Sequence, residues 1–261
     1  MQFQKKIVAV TGAAGGIGRG LCRYFGAQGA SVAALDRSQA VTTFVDELRT
    51  EHIRTESAVV DIGDANAVAV AFKNFESLLG PIDILINNAG ASSHPSLERT
   101  APEGFAQDVH INVNGAYNCA YAVLPGMKAR RAGIIVNIGS VNGLGAYGDA
   151  AYSVGKAGLI SLTKSLALEF GRYNLRVNIV CPATVRTPIW DERASRNPNV
   201  LEQLARWYPL GRIVEPIEVI HAVAFLASDA ASGITGVVLP VDCGLTAGNI
   251  VMARELTLED L

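Results

Sequence analysis

Short runs of β-branched and aliphatic residues alternate with longer amphipathic stretches along the whole chain. The apolar runs fall at residues 7–10, 31–35, 57–60, 82–86, 133–138, 176–180 and 237–240. Stretches with helical patterning fall at 17–28, 40–51, 65–78, 102–128, 151–173 and 216–228. Runs such as KIVAV and IDILI are apolar throughout, as in strands covered on both faces. Strand, helix and strand in repeated alternation predict parallel βαβ units with right-handed crossovers. The fold class is α/β: a doubly wound sheet of about seven parallel strands flanked by helices.

No Gly/Ser-rich or Pro-rich linker divides the 261 residues, so one domain over 1–261 is expected. One segment breaks the rhythm. Residues 182–209, between the sixth and seventh strands, carry four arginines and two tryptophans. A connection this long in a compact domain serves as a lid or binding loop.

Composition excludes several classes. A formal net charge of −2 gives no basic field for nucleic acid or an anionic membrane. Cys22, Cys119, Cys181 and Cys243 form no C-x-x-C pair, which argues against a disulfide framework and a zinc site; no metal is expected. They read as buried thiols of a reduced compartment. The apolar run near the N-terminus is too short for a secretory signal, and none approaches membrane-spanning length. A cytoplasmic location is the expectation.

The first strand runs into VAVTGAAGGIGRG, which sets Gly12, Gly16 and Gly18 at the start of a helix. Glycine permits the tight turn and close approach of backbone to a pyrophosphate, and the helix N-terminus supplies free N–H groups. The spacing is G-x-x-x-G-x-G rather than the common G-x-G-x-x-G. The second strand ends at Asp36, 18 residues past Gly18, near the spacing at which an acid holds an adenosine ribose. A carboxylate there repels a 2′-phosphate, so NAD is favoured over NADP. Arg37 next door is the group that argues the other way.

TGAAGGIG (11–18), NNAG (87–90), Asn112 in NVNG, Ser140 in NIGS and YSVGK (152–156) occur in the order of the short-chain dehydrogenase/reductase family, which this chain resembles over nearly its whole length. VVDIGD, with Asp61, and GVVLPVDCG extend the resemblance. It implies a Rossmann-type sheet, an oxidoreductase activity and assembly as a homotetramer. It also implies that Gly12, Gly16, Ile17 and Gly18 line the pyrophosphate and Asp36 holds the ribose. Asp61 and Ile62 then frame the adenine, Asn88, Ala89 and Gly90 border the cofactor, and Val185 and Thr187 meet the nicotinamide amide. Two positions depart from the family pattern. Pro182-Ala183 stands where the family has Pro-Gly, and Asp242-Cys243-Gly244 where it has Asp-Gly-Gly.

The catalytic candidates are Asn112, Ser140, Tyr152 and Lys156. Residues four apart share a helix face, so Lys156 sits beside Tyr152. A phenol with a pKa near ~10 is a poor base at neutral pH, and an adjacent ammonium lowers that value. Lysine has donors left for the nicotinamide ribose, so Tyr152 and Lys156 also count as cofactor-binding. Ser140 can hydrogen-bond the substrate oxygen. The resemblance gives Asn112 the task of supporting a water through which the proton leaves.

Substrate candidates are His94, Ser140, Asn142, Tyr147, Tyr152, Arg186, Trp190, Arg193 and Arg196. These polar and aromatic groups suit a hydroxylated small molecule, with a sugar 1-dehydrogenase preferred. The arginines suggest an acidic sugar such as sulfoquinovose. Against this, Glu192 and Arg196 can form an i,i+4 surface pair and the other arginines can face water. The alternatives are a 3-oxoacyl thioester reductase and a catalytically silent nucleotide-sensing protein.

Overall fold

The computed structural model describes residues 1–93 and 96–259. Seven strands form one sheet: β1 (Ile7–Thr11), β2 (Ser31–Asp36), β3 (Thr55–Val59), β4 (Ile84–Asn87), β5 (Gly133–Ile138), β6 (Leu175–Pro182) and β7 (Val238–Val241). Their order is β3-β2-β1-β4-β5-β6-β7, and every neighbouring pair is parallel. The sequence-based strands all appear, the fifth with the same bounds and the others displaced at one or both ends by at most two residues. After β3 the chain returns to the other side of β1, so the order reverses between β1 and β4. That reversal opens a crevice beyond their C-terminal ends, where ligands bind in sheets of this kind.

The helices are α1 (Gly16–Ala27), α2 (Ala40–Thr50), α3 (Ala65–Leu79), α4 (Pro102–Val109), α5 (Gly115–Arg130), α6 (Ala150–Phe170), α7 (Asp191–Arg196), α8 (Val200–Ala205), α9 (Pro216–Ala227) and α10 (Ile250–Thr257). Strand side chains alternate between two cores. Val8 and Val10 of β1 join Leu21 and Phe25 of α1 and Val219 and Val223 of α9 on one face. Ile7 and Ala9 join Phe72 and Phe75 of α3 and Val123 and Met127 of α5 on the other. The buried aromatic and aliphatic side chains each contribute on the order of 2 kcal/mol of apolar burial.

Three elements differ from the sequence-based reading. The expected helix over 102–128 is interrupted by a wide π turn over His110–Asn114, which closes with Gly115 N–H donating to the His110 carbonyl. The turn frees the Asp108 carbonyl, and the Asn112 side-chain amide takes it at 2.8 Å. The segment 182–209 is not a plain loop but carries α7 and α8. Finally, α10 has no counterpart in the sequence reading. It buries no residue fully and is started by Asn249, whose side chain accepts from the Met252 N–H.

Among the described residues no helix is long and apolar enough to cross a membrane. All four cysteines are free and buried. No group of three or more His, Cys, Asp or Glu that could hold a metal occurs among the described residues.

Candidate active site

The glycine-rich turn is built at the C-terminal end of β1. Gly12 takes φ +64°, and a Cβ there would lie 2.9 Å from the Ala89 Cα. A Cβ on Gly18 would run into the Gly12 carbonyl oxygen. Both positions therefore exclude larger residues. Asn88 ties the turn to β4, since its Nδ2 donates to the Thr11 and Gly12 carbonyls at 3.0 and 3.1 Å. The Thr11 hydroxyl oxygen accepts the Asn88 and Ala89 N–H groups, each at 3.0 Å. Gly15, the residue that opens α1, offers no side-chain cap, and the first turn holds no acid. Its N–H groups are thus left for an external anion.

Asp36 closes the far side. Its Oδ2 accepts the Ala14 N–H and its Oδ1 the Ser38 N–H, each at 2.9 Å. Asp61 Oδ1 accepts the Gly63 N–H at 2.8 Å. Between these groups runs a cleft of about 550 Å³. Gly12, Gly16, Ile17, Gly18, Asp36, Asp61, Ile62, Asn88, Ala89, Gly90 and Thr187 all line it. Val185 does not; it is buried and bridged to Val214 behind the cleft wall. Ala14, Arg19, Ile111 and Ile189 line it without having been singled out in the sequence. Arg37 also lines it, whereas the Arg19 guanidinium is held by Glu47 and lies over Phe44.

Past Gly90 the four catalytic candidates converge. A Cβ on Gly90 would lie 2.7 Å from Asn112 Oδ1 and 3.1 Å from Lys156 Nζ, so glycine leaves both groups facing one space. Asn112 Nδ2 donates to the Ala91 and Asp108 carbonyls, and its Oδ1 is buried without a partner. Lys156 is buried and donates to the Ile138 carbonyl at 2.8 Å. The Ser140 hydroxyl acts on the Tyr152 phenol and opposes the rise in its pKa. It also accepts the Asn142 N–H at 3.2 Å.

The expectation that Lys156 lowers the Tyr152 pKa is corrected here. Nζ stands 5.4 Å from the centre of the Tyr152 ring and is directed at a backbone carbonyl. Burial governs both groups. It pushes the phenol up to about 12, against the opposing influence of Ser140, and pushes Lys156 down to about 8. A third group acts on the pair: the Cys181 thiol, itself pushed up to about 11 by burial.

The substrate candidates divide. Asn142 lies beside Ser140 and braces the following loop through the Gly148 carbonyl at 3.0 Å. Tyr147 is exposed on that loop. Arg186 does not present a free cation, because Glu215 holds it at 2.8 Å. Arg193 stacks over Trp190, 4.7 Å from the ring centre. Arg196 ends α7 and is exposed. His94 lies outside the described residues, as does the Glu192 side chain of the suggested Glu192–Arg196 pair. The two departures from the family pattern are accommodated. Ala183 N–H donates to the Val241 carbonyl, and Cys243 takes φ +51° with its thiol beside Arg212.

A parallel sheet with a glycine-rich turn at its switch point defines a dinucleotide-binding α/β protein. Residues 12–246 match the family model described as enoyl-(acyl carrier protein) reductase. A Schizosaccharomyces pombe protein named uncharacterized oxidoreductase C922.06 is 40% identical over 261 residues, 100% of this chain and 98% of that one. A solved Burkholderia thailandensis oxidoreductase of the short-chain dehydrogenase/reductase family is 48% identical, with a TM-score of 0.92 and 98% of each chain covered. An NAD+-bound xylitol dehydrogenase is 30% identical, with a TM-score of 0.89, covering 94% of this chain and 100% of that one. A Burkholderia cenocepacia gluconate 5-dehydrogenase in complex with NADP and tartrate is 31% identical, with a TM-score of 0.88, covering 95% and 98%. The chain belongs to the short-chain dehydrogenase/reductase family and is an oxidoreductase built to bind NAD(P).

Proposed function

We propose that the protein interconverts a secondary alcohol or hemiacetal of a sugar or polyol with the corresponding carbonyl or lactone, using NAD in preference to NADP. The observation that carries this is that Asn112 Oδ1 and Lys156 Nζ face one space beneath Gly90, with the Tyr152 ring 5.4 Å from Nζ and Ser140 acting on its phenol. When bound, the nicotinamide supplies hydride transfer. The residues present fit a dinucleotide: the uncapped start of α1 suits the pyrophosphate, and Asp36 lines the end where a ribose would lie.

Ser140 then orients the substrate oxygen and Tyr152 exchanges its proton. Lys156 passes the proton on to a water that Asn112 supports, the basis for this being the buried, unpartnered Asn112 Oδ1 near Nζ. The Asp36 carboxylate supports NAD, since a 2′-phosphate beside it is repelled. The similar xylitol and gluconate dehydrogenases support a polyhydroxylated substrate. Sulfoquinovose is not carried forward, because neither similar dehydrogenase is named for it and Arg186 is paired with Glu215. Assembly as a homotetramer goes with this reading. Its support is the pair of exposed rings, Tyr117 and Tyr121, packed together on α5.

A second reading, reduction of an acyl thioester, is favoured by the description of the matching family model. Assaying sugars, polyols and 3-oxoacyl thioesters with NAD(H) and NADP(H) separates the two. NADH formation from a polyol supports the first. Turnover confined to thioesters with NADPH contradicts it.

A further inference from the structure

Asp149 is the residue before α6 and lies three residues before Tyr152. An aspartate in that position ordinarily caps its helix. Here it does not. Its backbone is left-handed, at φ 56° and ψ 65°, and no helix N–H reaches the carboxylate. The preceding Gly148 is also at positive φ, and the Asn142 amide holds its carbonyl. The loop therefore turns the carboxylate away from the helix and across to the Ser92 hydroxyl, on a loop that Asn142 ties to Ser140.

Only one carboxylate oxygen is satisfied. Oδ2 accepts a hydrogen bond from the Ser92 hydroxyl, across from the loop that follows β4. Oδ1 is buried and has no partner. A carboxylate accepts hydrogen bonds and donates none, so the completing group must be a donor. A buried acceptor without one is costly, and a site made to bind a hydroxyl discriminates strongly against molecules lacking it. Ser92 is exposed and its hydroxyl rotates about one bond, so a ligand hydroxyl can replace it.

Resting on the polyol reading above, we propose that Asp149 is a substrate-binding residue. It accepts a hydrogen bond from a second substrate hydroxyl, adjacent to the one held by Ser140 and Tyr152. The site thereby selects vicinal diols over simple alcohols.

The test compares kcat/KM for a vicinal diol and for the mono-alcohol of the same carbon skeleton, in wild type, Asp149→Asn and Asp149→Gly. Both replacements tolerate the left-handed backbone. NADH binding, followed by fluorescence, reports that each variant is folded. The diol-to-mono-alcohol ratio is expected to fall about 10-fold in Asp149→Asn and about 100-fold in Asp149→Gly, the range for losing a hydrogen bond to a charged acceptor. The loss is expected mainly in KM. An unchanged ratio, or an equal fall for both alcohols, overturns the proposal. Failure of wild type to oxidise any diol, with thioester reduction intact, overturns the polyol reading and this proposal with it. The two failures are thus distinguishable.

Discussion

Lys156 Nζ stands 5.4 Å from the centre of the Tyr152 ring, and both side chains are driven toward neutrality by burial. The phenol rises to about 12 while the amine falls to about 8. A phenol that keeps its proton is a donor, so the site as held is set for carbonyl reduction. Alcohol oxidation needs the phenolate, whose fraction grows as pH rises toward the raised value. Oxidation rate is therefore expected to climb from pH 7 to pH 10, while reduction rate, which needs the protonated phenol, stays nearly level over the same interval. Profiles of kcat/KM in both directions check this. An oxidation optimum below pH 7 contradicts it.

Asp36 accepts two backbone N–H groups and lines the cleft beside Arg37. Asp36→Ala removes the charge that repels a 2′-phosphate and leaves Arg37 in place. The NADP-to-NAD ratio of kcat/KM is expected to rise at least tenfold, as for about 1.4 kcal/mol of relieved repulsion. Steady-state assays with each cofactor measure it, and an unchanged ratio removes Asp36 from cofactor selection.

Asn88 holds the glycine-rich turn through the Thr11 and Gly12 carbonyls. In Asn88→Ala these bonds are lost, at a cost of about 1–3 kcal/mol. The expected result is a lower Tm together with NADH binding weakened several-fold. Denaturation and fluorescence titration read the two effects separately. A lower Tm with unaltered NADH affinity confines Asn88 to structure.

A buried polar chain links the sheet to α6. Asn87 Nδ2 donates to Asn137 Oδ1 at 2.9 Å, and Asn137 Nδ2 donates to the Thr163 hydroxyl at 2.8 Å. Thr163→Val leaves the Asn137 amide without an acceptor in the interior, for about 1–3 kcal/mol. Because Thr163 lies on the helix that carries Tyr152, the loss is expected in urea unfolding, with little change in KM. An unaltered midpoint contradicts it.

The strands and the cofactor cleft were legible because their causes are local. Doubly covered strands read as unbroken apolar runs, and Asp36 and Asp61 stand at or just past strand ends where a parallel sheet presents ligand groups. Three features were not legible. The π turn over His110–Asn114 adds one residue to a helical repeat, which amphipathic spacing does not register; only the placement of Asn112 reveals it. Desolvation of the half-buried Tyr152 and the buried Lys156 reverses the electrostatic expectation, and it depends on tertiary packing that sequence spacing does not show. The Asp149 carboxylate takes its meaning from a positive φ and a hydroxyl 57 residues away. The α10 helix had one local signal, Asn249 as its cap, but its apolar residues remain exposed and mark no core face.

The central claim is that Tyr152 exchanges the proton with the substrate oxygen, and Tyr152→Phe tests it most directly. The ring and its packing stay while the hydroxyl goes. Turnover is expected to fall about a thousandfold or more, within the range for losing a positioned acid–base group. NADH affinity is expected to remain within about twofold of wild type, since the change is far below the ~1.4 kcal/mol of a tenfold effect. Turnover within about tenfold of wild type, with the cofactor bound equally well, would contradict the account.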